Sequence, residues 1–309
     1  MQQLTSGTPV RYTGPARRVD GVDLRPGRCG EVLASGGSGG SSGVLLSRPL
    51  GRREVLVVFD DVAVVVRRAH LEPLPREHPL RGEPDATLAA PLLANLRPWG
   101  VQNTVGTKVP ALPGHDTVVA QVLHPWSEDR EAGAAITWSQ VAAAAGTTRD
   151  GLLDRDGPGA PTVDVPGYSV PEDGGLTADL AAALVDVLGG TTGTPDDVCF
   201  AVWEGWGSID PGWWPDAAHV PLENRGSFLL RGPLAGLAAS LDPMFGQRGA
   251  QLWWPTDLAW VAASEIDLPW TVIAGRPEVI AALRSDPRLE VVPTTHDTPA
   301  FAIPDPSTS

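Results

Sequence analysis

The chain has 309 residues, which corresponds to about two domains at ~150 residues per domain. Hydrophobic residues make up 42% and include 11 tryptophans, enough to build folded cores despite 35 glycines and 31 prolines, so disorder throughout is excluded. The formal net charge of −14 opposes contact with phosphate backbones and anionic lipid, so we expect neither nucleic acid nor a membrane as partner.

The first predicted domain, residues 1–78, is basic, unlike the rest of the chain. Residues 1–80 hold 11 arginines and eight acidic residues, net +3, whereas the remainder holds 12 basic and 29 acidic residues, net −17. Short valine- and leucine-rich runs between turn-forming residues predict β-strands at Thr8–Thr13, Cys29–Ala34, Gly43–Ser47, Glu54–Phe59 and Val62–Arg67. Because so short a sheet must curl to cover its apolar face, these strands predict a small all-β barrel.

Several motifs of this domain are shared with a known group of barrels. They are Val10-Arg11-Tyr12, Arg25-Pro26-Gly27, Gly30-Glu31-Val32, Val57-Val58-Phe59-Asp60 and His70–Leu74. Over residues 7–75 the segment resembles SH3-like barrels of the KOW and Tudor type, and the resemblance implies a binding module. An aromatic cage for methylated side chains is not expected, because only Tyr12 and Phe59 are available to build it.

The second predicted domain, residues 99–297, follows a linker at 79–98 that is rich in proline, arginine and glutamate. Strands are predicted at Thr117–His124, Val198–Trp203, Ser227–Leu230, Asp257–Ala263, Trp270–Ala274 and Leu289–Val292. Helices are predicted at Thr137–Ala145, Leu176–Leu188, Pro233–Leu241 and Pro277–Arg284, the first capped by Thr137. This alternation predicts a mixed α/β (α+β) domain with at least some antiparallel strand pairing. Residues 298–309 are predicted to be a disordered tail.

The larger domain also carries a set of characteristic segments. They are Val122–Trp126, Thr194-Pro195, Phe200–Gly205, Leu252–Pro255, Asp257–Trp260 and Ser264–Asp267. Taken together, over roughly residues 110–292, they look like a group of uncharacterised actinobacterial proteins. The resemblance implies the extent and fold of a domain, and it implies no mechanism.

A cluster of tryptophans follows the predicted strand Val198–Trp203. Side chains at the carboxyl end of a strand commonly line the cleft of an open α/β sheet, and indole faces attract cations and aromatic groups. We therefore predict a ligand pocket with Glu204 as its polar anchor, built from Trp203, Glu204, Trp206, Trp213, Trp214 and His219. The alternative is that these indoles seal the core and tether a loop.

A second cluster has the same chemistry, with Trp253 and Trp254 as the opposite wall of that pocket. Glu265 and Asp267 lie two residues apart, which places both carboxylates on one face of an extended segment, suited to a metal or to acid and base roles. Because an exposed acidic turn is the commoner structure, we predict no metal and no cofactor.

Single histidines and cysteines add little chemistry. His115 and His124 could each act as a general base, although a lone histidine is more often a hydrogen-bonded structural group. Cys29 and Cys199 fall in different predicted domains, so neither a disulfide framework nor a zinc site is expected. We attribute the single lysine, Lys108, to coding bias.

Three hypotheses for function follow. The first is a non-enzymatic binding protein that takes a protein, or a small cationic or aromatic ligand, in a tryptophan-lined acidic cleft. The second is a hydrolase or transferase that uses Glu204 with His219 or His124, and the third is an immunity or defence-associated inhibitor of a basic protein. A cytoplasmic location is expected, because the N-terminus lacks the pattern of an export signal and no run of about 18 apolar residues occurs.

Overall fold

The structure is a computed structural model that describes most of the chain. The described residues are 9–19, 22–26, 29–35, 54–59, 62–67, 71–73, 78–98, 103–128, 134–153, 163–171, 173–206, 209, 213–222, 225–239, 241 and 249–303. The predicted strand Gly43–Ser47 lies outside them. The chain divides into two compact units, of which the first comprises residues 1–78, 206–213 and 241–246, and the second comprises the remainder.

The first unit contains a five-stranded antiparallel sheet and a separate hairpin. Its strands are β1 (Pro9–Tyr12), β2 (Arg17–Val19), β3 (Val22–Leu24), β4 (Cys29–Ser35), β5 (Glu54–Phe59), β6 (Val62–Arg67) and β7 (Leu71–Pro73). The order in the sheet is β6-β5-β4-β1-β7, and β2 pairs with β3. Val10, Tyr12 and Val57 are fully buried and belong to its core.

Four of the five strands predicted for this unit are confirmed, within one residue at each end. The predicted closure is not seen, because β6 and β7 form opposite edges and no pairing among the described residues joins them. These residues therefore form an open sheet, and the described strands do not make a closed barrel.

The second unit is built on a nine-stranded sheet. Its strands are β8 (Arg81–Gly82), β9 (Val118–Leu123), β13 (Val198–Trp203), β14 (His219–Leu222), β15 (Arg225–Gly232), β16 (Leu252–Pro255), β17 (Trp260–Ser264), β18 (Trp270–Gly275) and β19 (Glu290–Thr294). They run in the order β14-β15-β13-β16-β17-β18-β9-β19, with β8 also on β15. Three short strands, β10 (Trp126–Glu128), β11 (Ala135–Ile136) and β12 (Tyr168–Ser169), form a small separate sheet.

The class expected for this unit, mixed α/β (α+β), holds in its coarser part, because the unit is rich in β-strands and also carries helices. Every strand pair among the described residues is antiparallel, and only four α-helices accompany the strands there. The physical reason is that β14 and β15, and then β16 to β18, follow one another through short turns, which leave no room for crossover helices. The fold is β-rich.

Three of the four predicted helices are confirmed, within two residues at each end. The α-helices of the described residues are α1 (Ala90–Leu93), α2 (Trp138–Ala145), α3 (Ala178–Gly189) and α4 (Pro277–Ser285). Thr137 caps α2 in a reciprocal capping box with Gln140, as its sequence predicts. The predicted helix Pro233–Leu241 is instead a short 3₁₀ helix, Leu234–Ala238, because the backbone is already extended at Ala239. None of the described helices has the length and apolarity needed to cross a membrane.

The predicted linker at 79–98 is part of the second unit. Its β8 pairs with β15, and the buried Glu83 carboxylate accepts a hydrogen bond of 2.9 Å from Arg231 Nη1. The side chains of Leu80 and Leu92 are buried as well, because these sparse apolar positions reach the core of the sheet. The predicted tail is also shorter than expected, since Ile303 is buried.

The two faces of the large sheet pack against different elements. Cross-strand pairing places Leu252 and Ala263 on one face, here the front face, and Trp253 and Trp260 on the other, the back face. On the back face, Trp260 Nε1 donates to the α3 carbonyl of Leu188 at 3.2 Å. On the front face, α2 packs against the sheet through Trp138, which contacts Trp270. The part of the front face that carries Leu252 and Ala263 borders a pocket.

Candidate functional site

A pocket lies on the front face at one end of the large sheet. It contains about 440 Å³ of empty space, including some open solvent. Its lining consists of Leu96, Lys108, Trp203, Leu222, Arg225, Ser227, Gln251, Leu252, Ala263 and Glu265. The register of the sheet explains this set, because Trp203 is paired with Ser227, and Leu252 with Ala263, so their side chains share one face.

A network of charged side chains closes one wall of the pocket. Lys108 Nζ lies 2.7 Å from Glu265 Oε2, and these two side chains are only 3% and 9% exposed. Arg225 donates through Nη1 to the other oxygen of Glu265 and through Nη2 to Asp267 Oδ2, at 3.3 Å in the second case. Burial alone would raise the pKa of Glu265, but the adjacent cations Lys108 and Arg225 outweigh it and hold that pKa below its usual value. Glu265 is therefore ionised at neutral pH.

An aromatic side chain and two polar groups complete the lining. The guanidinium carbon of Arg225 lies 5.5 Å from the centroid of the Trp203 ring, a cation–π arrangement. Gln251 is fixed in place, because its Oε1 accepts from the Trp203 amide at 2.5 Å and its Nε2 donates to Gly249 O at 3.0 Å. Ser227 is 2% exposed and also lines the pocket.

Of the predicted site residues, Trp203 and Glu204 are separated by the sheet. Successive residues of a strand point to opposite faces, so Trp203 faces the pocket while Glu204 turns to the back. There Glu204 Oε1 lies 2.6 Å from His219 Nδ1, with the two side chains 38% and 60% exposed. A Cβ at Gly226 would lie within 3 Å of this carboxylate and of the His219 ring, so both side chains would have to shift to admit a larger residue there. Glu204 and His219 do not line the pocket.

The remaining predicted tryptophans also lie elsewhere. Trp214 is buried, stacks on Phe228 at 5.5 Å and donates to Leu80 O at 3.2 Å. Trp253 and Trp254 are fully buried within the sheet and do not form the opposite wall of this pocket. Trp206 and Trp213 belong to the first unit. Of the eight predicted residues, only Trp203 lines the pocket.

The carboxylate pair and the two histidines have defined partners. Glu265 and Asp267 share Arg225, so this acidic pair is neutralised by cations of the protein. His124 is buried, and its Nε2 lies 3.0 Å from Thr271 Oγ1, whereas His115 Nε2 lies 3.2 Å from Arg276 Nη2. Among the described residues, no group of three or more histidine, cysteine, aspartate or glutamate side chains could hold a metal ion.

Four polar lining residues are not found from the sequence: Lys108, Arg225, Ser227 and Gln251. Lys108 and Glu265 are 157 residues apart, and Arg225 and Glu265 are 40 apart, so no local pattern joins them. The one available signal is that Lys108 is the single lysine of a chain rich in arginine.

The chain was compared with protein families, curated proteins and solved structures. No protein-family model matches it, and no curated protein and no solved structure matches it. The resemblances inferred from sequence segments therefore stay predictions.

Glu204→Gln is expected to leave both stability and pocket binding nearly unchanged. The pair with His219 is exposed, and exposed ion pairs contribute about 0 to 1 kcal/mol. Chemical denaturation should show a change in the free energy of unfolding below about 1 kcal/mol. A loss above about 2 kcal/mol would mean that Glu204 has a structural role that its exposure does not indicate.

Asp173→Asn is expected to stabilise the protein above neutral pH. Partial burial and the negative charge of Asp267 raise the pKa of Asp173 from its ordinary value to about 6. The folded state therefore binds the proton more tightly than the unfolded state, and stability falls as pH rises from about 4 to 6. Because solvent still reaches the Asp173 side chain and screens its charge, the gain at pH 8 should be about 1 kcal/mol or less. Thermal unfolding at pH 8 and pH 4 checks this, and an equal effect at both values would contradict it.

Proposed function

We propose that the protein is a non-enzymatic binding protein that takes a small ligand in the front-face pocket. The observation that carries the proposal is the mixed lining, in which apolar side chains surround a few oriented polar groups. Leu96, Leu222, Leu252 and Ala263 supply the apolar part, and Trp203 supplies an aromatic wall. Small-molecule sites usually have this composition, with apolar groups providing affinity and polar groups fixing orientation.

The ionisable groups of the pocket favour binding over catalysis. Lys108 and Arg225 each form an ion pair with Glu265, and the lowered pKa of Glu265 keeps it from taking a proton at neutral pH. A general base or acid needs a pKa near the working pH and access to the substrate. An inward-facing network of paired charges is suited to holding a ligand in one orientation.

The enzyme hypothesis has one observation in its favour, the Glu204–His219 contact of 2.6 Å. A carboxylate that orients an imidazole is an arrangement used in general-base catalysis. However, both side chains lie on the back face and are exposed, away from the enclosed lining that would exclude water from a reaction. The inhibitor hypothesis rests on the acidic charge of the chain alone, so we rank both below ligand binding.

Filling the pocket with a side chain tests the proposal. We expect ligand-observed NMR to detect binding of 3-phenylpropionate or 3-phenylpropan-1-ol to the unaltered protein. Ala263→Met should abolish that binding, because the longer side chain occupies the space next to Leu252. Thermal unfolding of the variant verifies that it is folded.

Glu204→Gln is the matched control, because Glu204 faces away from the pocket, and it should bind as the unaltered protein does. If neither probe binds, or if binding persists in the folded Ala263→Met variant, the proposed function is wrong.

A further inference from the structure

We infer that the ligand of the front-face pocket is an uncharged molecule with an apolar or aromatic body and a neutral hydrogen-bonding head; this inference rests on the proposed function. The observation that carries it is the pairing of the three charged side chains in the lining. Lys108 is paired with Glu265, and Arg225 is paired with both Glu265 and Asp267. The charges of the lining therefore compensate one another before a ligand enters.

Each partner in this network stabilises the charged form of the other. Burial alone would raise the pKa of Glu265, but its two cationic neighbours outweigh burial and lower it. Burial alone would lower the pKa of Arg225, but Glu265 and Asp267 outweigh that effect and raise it. The network is therefore complete as it stands, and a charged ligand could gain an opposite charge only by displacing one of its members.

Such a displacement is unfavourable for an anionic head group. A carboxylate that enters an apolar pocket loses hydration, which is costly unless an opposite charge replaces the water. Displacing Glu265 from Lys108 would break a pair whose side chains are only 3% and 9% exposed, and breaking a buried pair is costly. Displacing Asp267 from Arg225 would exchange one carboxylate for another, with no ion pair gained. An anion therefore binds less well than a neutral molecule of the same shape.

A cationic head group is disfavoured by the aromatic wall and by the same two cations. A cation would be attracted to the face of the Trp203 indole, but the guanidinium of Arg225 already lies over that ring, 5.5 Å from its centroid. A ligand ammonium would also be repelled by Arg225 and Lys108, which both line the pocket. Of the cationic and aromatic ligands expected from the sequence, the pocket therefore favours the aromatic one.

A neutral polar head finds partners of its own kind in the lining. A carboxamide can accept two hydrogen bonds at its oxygen and donate two from its nitrogen. Gln251 uses one of each, because its oxygen accepts from the Trp203 amide and its nitrogen donates to the Gly249 carbonyl. Ser227 also lines the pocket with a hydroxyl, which can both donate and accept. A ligand amide or alcohol can therefore form hydrogen bonds there without disturbing an ion pair.

Two matched pairs of probes test the charge of the ligand. 3-Phenylpropanamide and 3-phenylpropionate have heads of nearly the same shape and differ in charge, as do 3-phenylpropan-1-ol and 3-phenylpropylamine. In isothermal titration calorimetry at pH 7, each neutral probe should bind about tenfold or more tightly than its charged counterpart. If the carboxylate or the amine binds as tightly as its neutral counterpart, and Ala263→Met abolishes that binding, the proposed function stands and the inference is wrong. If none of these probes binds, both are wrong.

Asp267→Asn tests whether the pairing of charges sets this preference. The substitution removes one counter-charge of Arg225, so it should strengthen binding of 3-phenylpropionate about threefold and leave 3-phenylpropanamide unchanged. Glu204→Gln is the matched control, because it removes the same charge from the back face, and it should alter neither affinity. The inference is overturned if, in the folded variants, Asp267→Asn leaves the ratio of the two affinities unchanged or Glu204→Gln shifts it equally.

Discussion

Glu265→Gln is expected to lower the free energy of unfolding by about 3 to 5 kcal/mol, because it leaves the ammonium group of Lys108 buried without its counter-charge. The two side chains are 3% and 9% exposed, so solvent cannot replace the lost partner. Chemical denaturation of the single variant at pH 7 measures the loss. The double variant Lys108→Met/Glu265→Gln should be less destabilised than Glu265→Gln alone, because it removes the unpaired charge as well.

The same ion pair predicts the direction of the pH dependence. The pKa of Glu265 is lower in the folded state than its ordinary value, so its stabilising contribution is complete above that ordinary value. The contribution is lost as pH falls through the lowered folded pKa. The difference in free energy of unfolding between the unaltered protein and Glu265→Gln should therefore shrink in acid. Asp267→Asn is the control, because Asp267 is 57% exposed and its loss should cost under about 1 kcal/mol. A Glu265→Gln variant as stable as this control would contradict the prediction.

Trp138→Ala is expected to destabilise the protein by about 3 to 5 kcal/mol, the usual cost of removing a buried aromatic side chain. Trp138 is fully buried at the start of α2 and meets Trp126 edge-on, with ring centroids 5.4 Å apart. A second ring, Trp270, lies 6.4 Å away on the front face. Trp138 Nε1 also donates to the carbonyl of His124 at 2.7 Å, so the substitution leaves both a cavity and an unsatisfied acceptor.

Two variants set the scale for this measurement. Trp138→Phe keeps most of the packing but loses the hydrogen bond, and it should fall between the unaltered protein and Trp138→Ala. Trp203→Ala should cost clearly less than Trp138→Ala, because the Trp203 ring borders the pocket and is partly exposed. Equal losses in Trp138→Ala and Trp203→Ala would mean that Trp203 is a core residue and not a pocket wall.

The local elements were predictable from the sequence, and the sheet topology was not. Helix α3 follows from apolar spacing between Thr177 and Gly190, and strands β5 and β6 follow from continuous valine-rich runs. These patterns depend on neighbours within a few residues. Whether strands such as β13 and β16 pair antiparallel depends on contacts between distant segments, which a single sequence does not display. The contacts of residues 79–98 were not predictable for the same reason, because the partner of Glu83 is the distant Arg231.

The candidate site was predictable only at Trp203. The high number of tryptophans between residues 203 and 214 suggested that these side chains form one cluster. Side chains alternate between the two faces of a sheet, however, and this alternation separates Trp203 from Glu204. The polar wall comes from three separate segments, at Lys108, Arg225 and Glu265, that only the tertiary fold brings together. Glu265 itself was considered as a metal or acid–base residue, because its cationic partners were not visible in the sequence.

Chemical modification of the single lysine can measure how often the region around Lys108 and Glu265 opens. Lys108 is the only side chain with a primary amine in the chain, and it is 3% exposed and bound to Glu265. Amine-acylating reagents attack only a neutral, accessible amine, so they should modify Lys108 only during transient excursions in which this region separates from Glu265. Mass spectrometry would measure the rate of modification at Lys108, which is distinguishable from modification of the α-amino group. A ligand that keeps this region closed would slow the modification of Lys108.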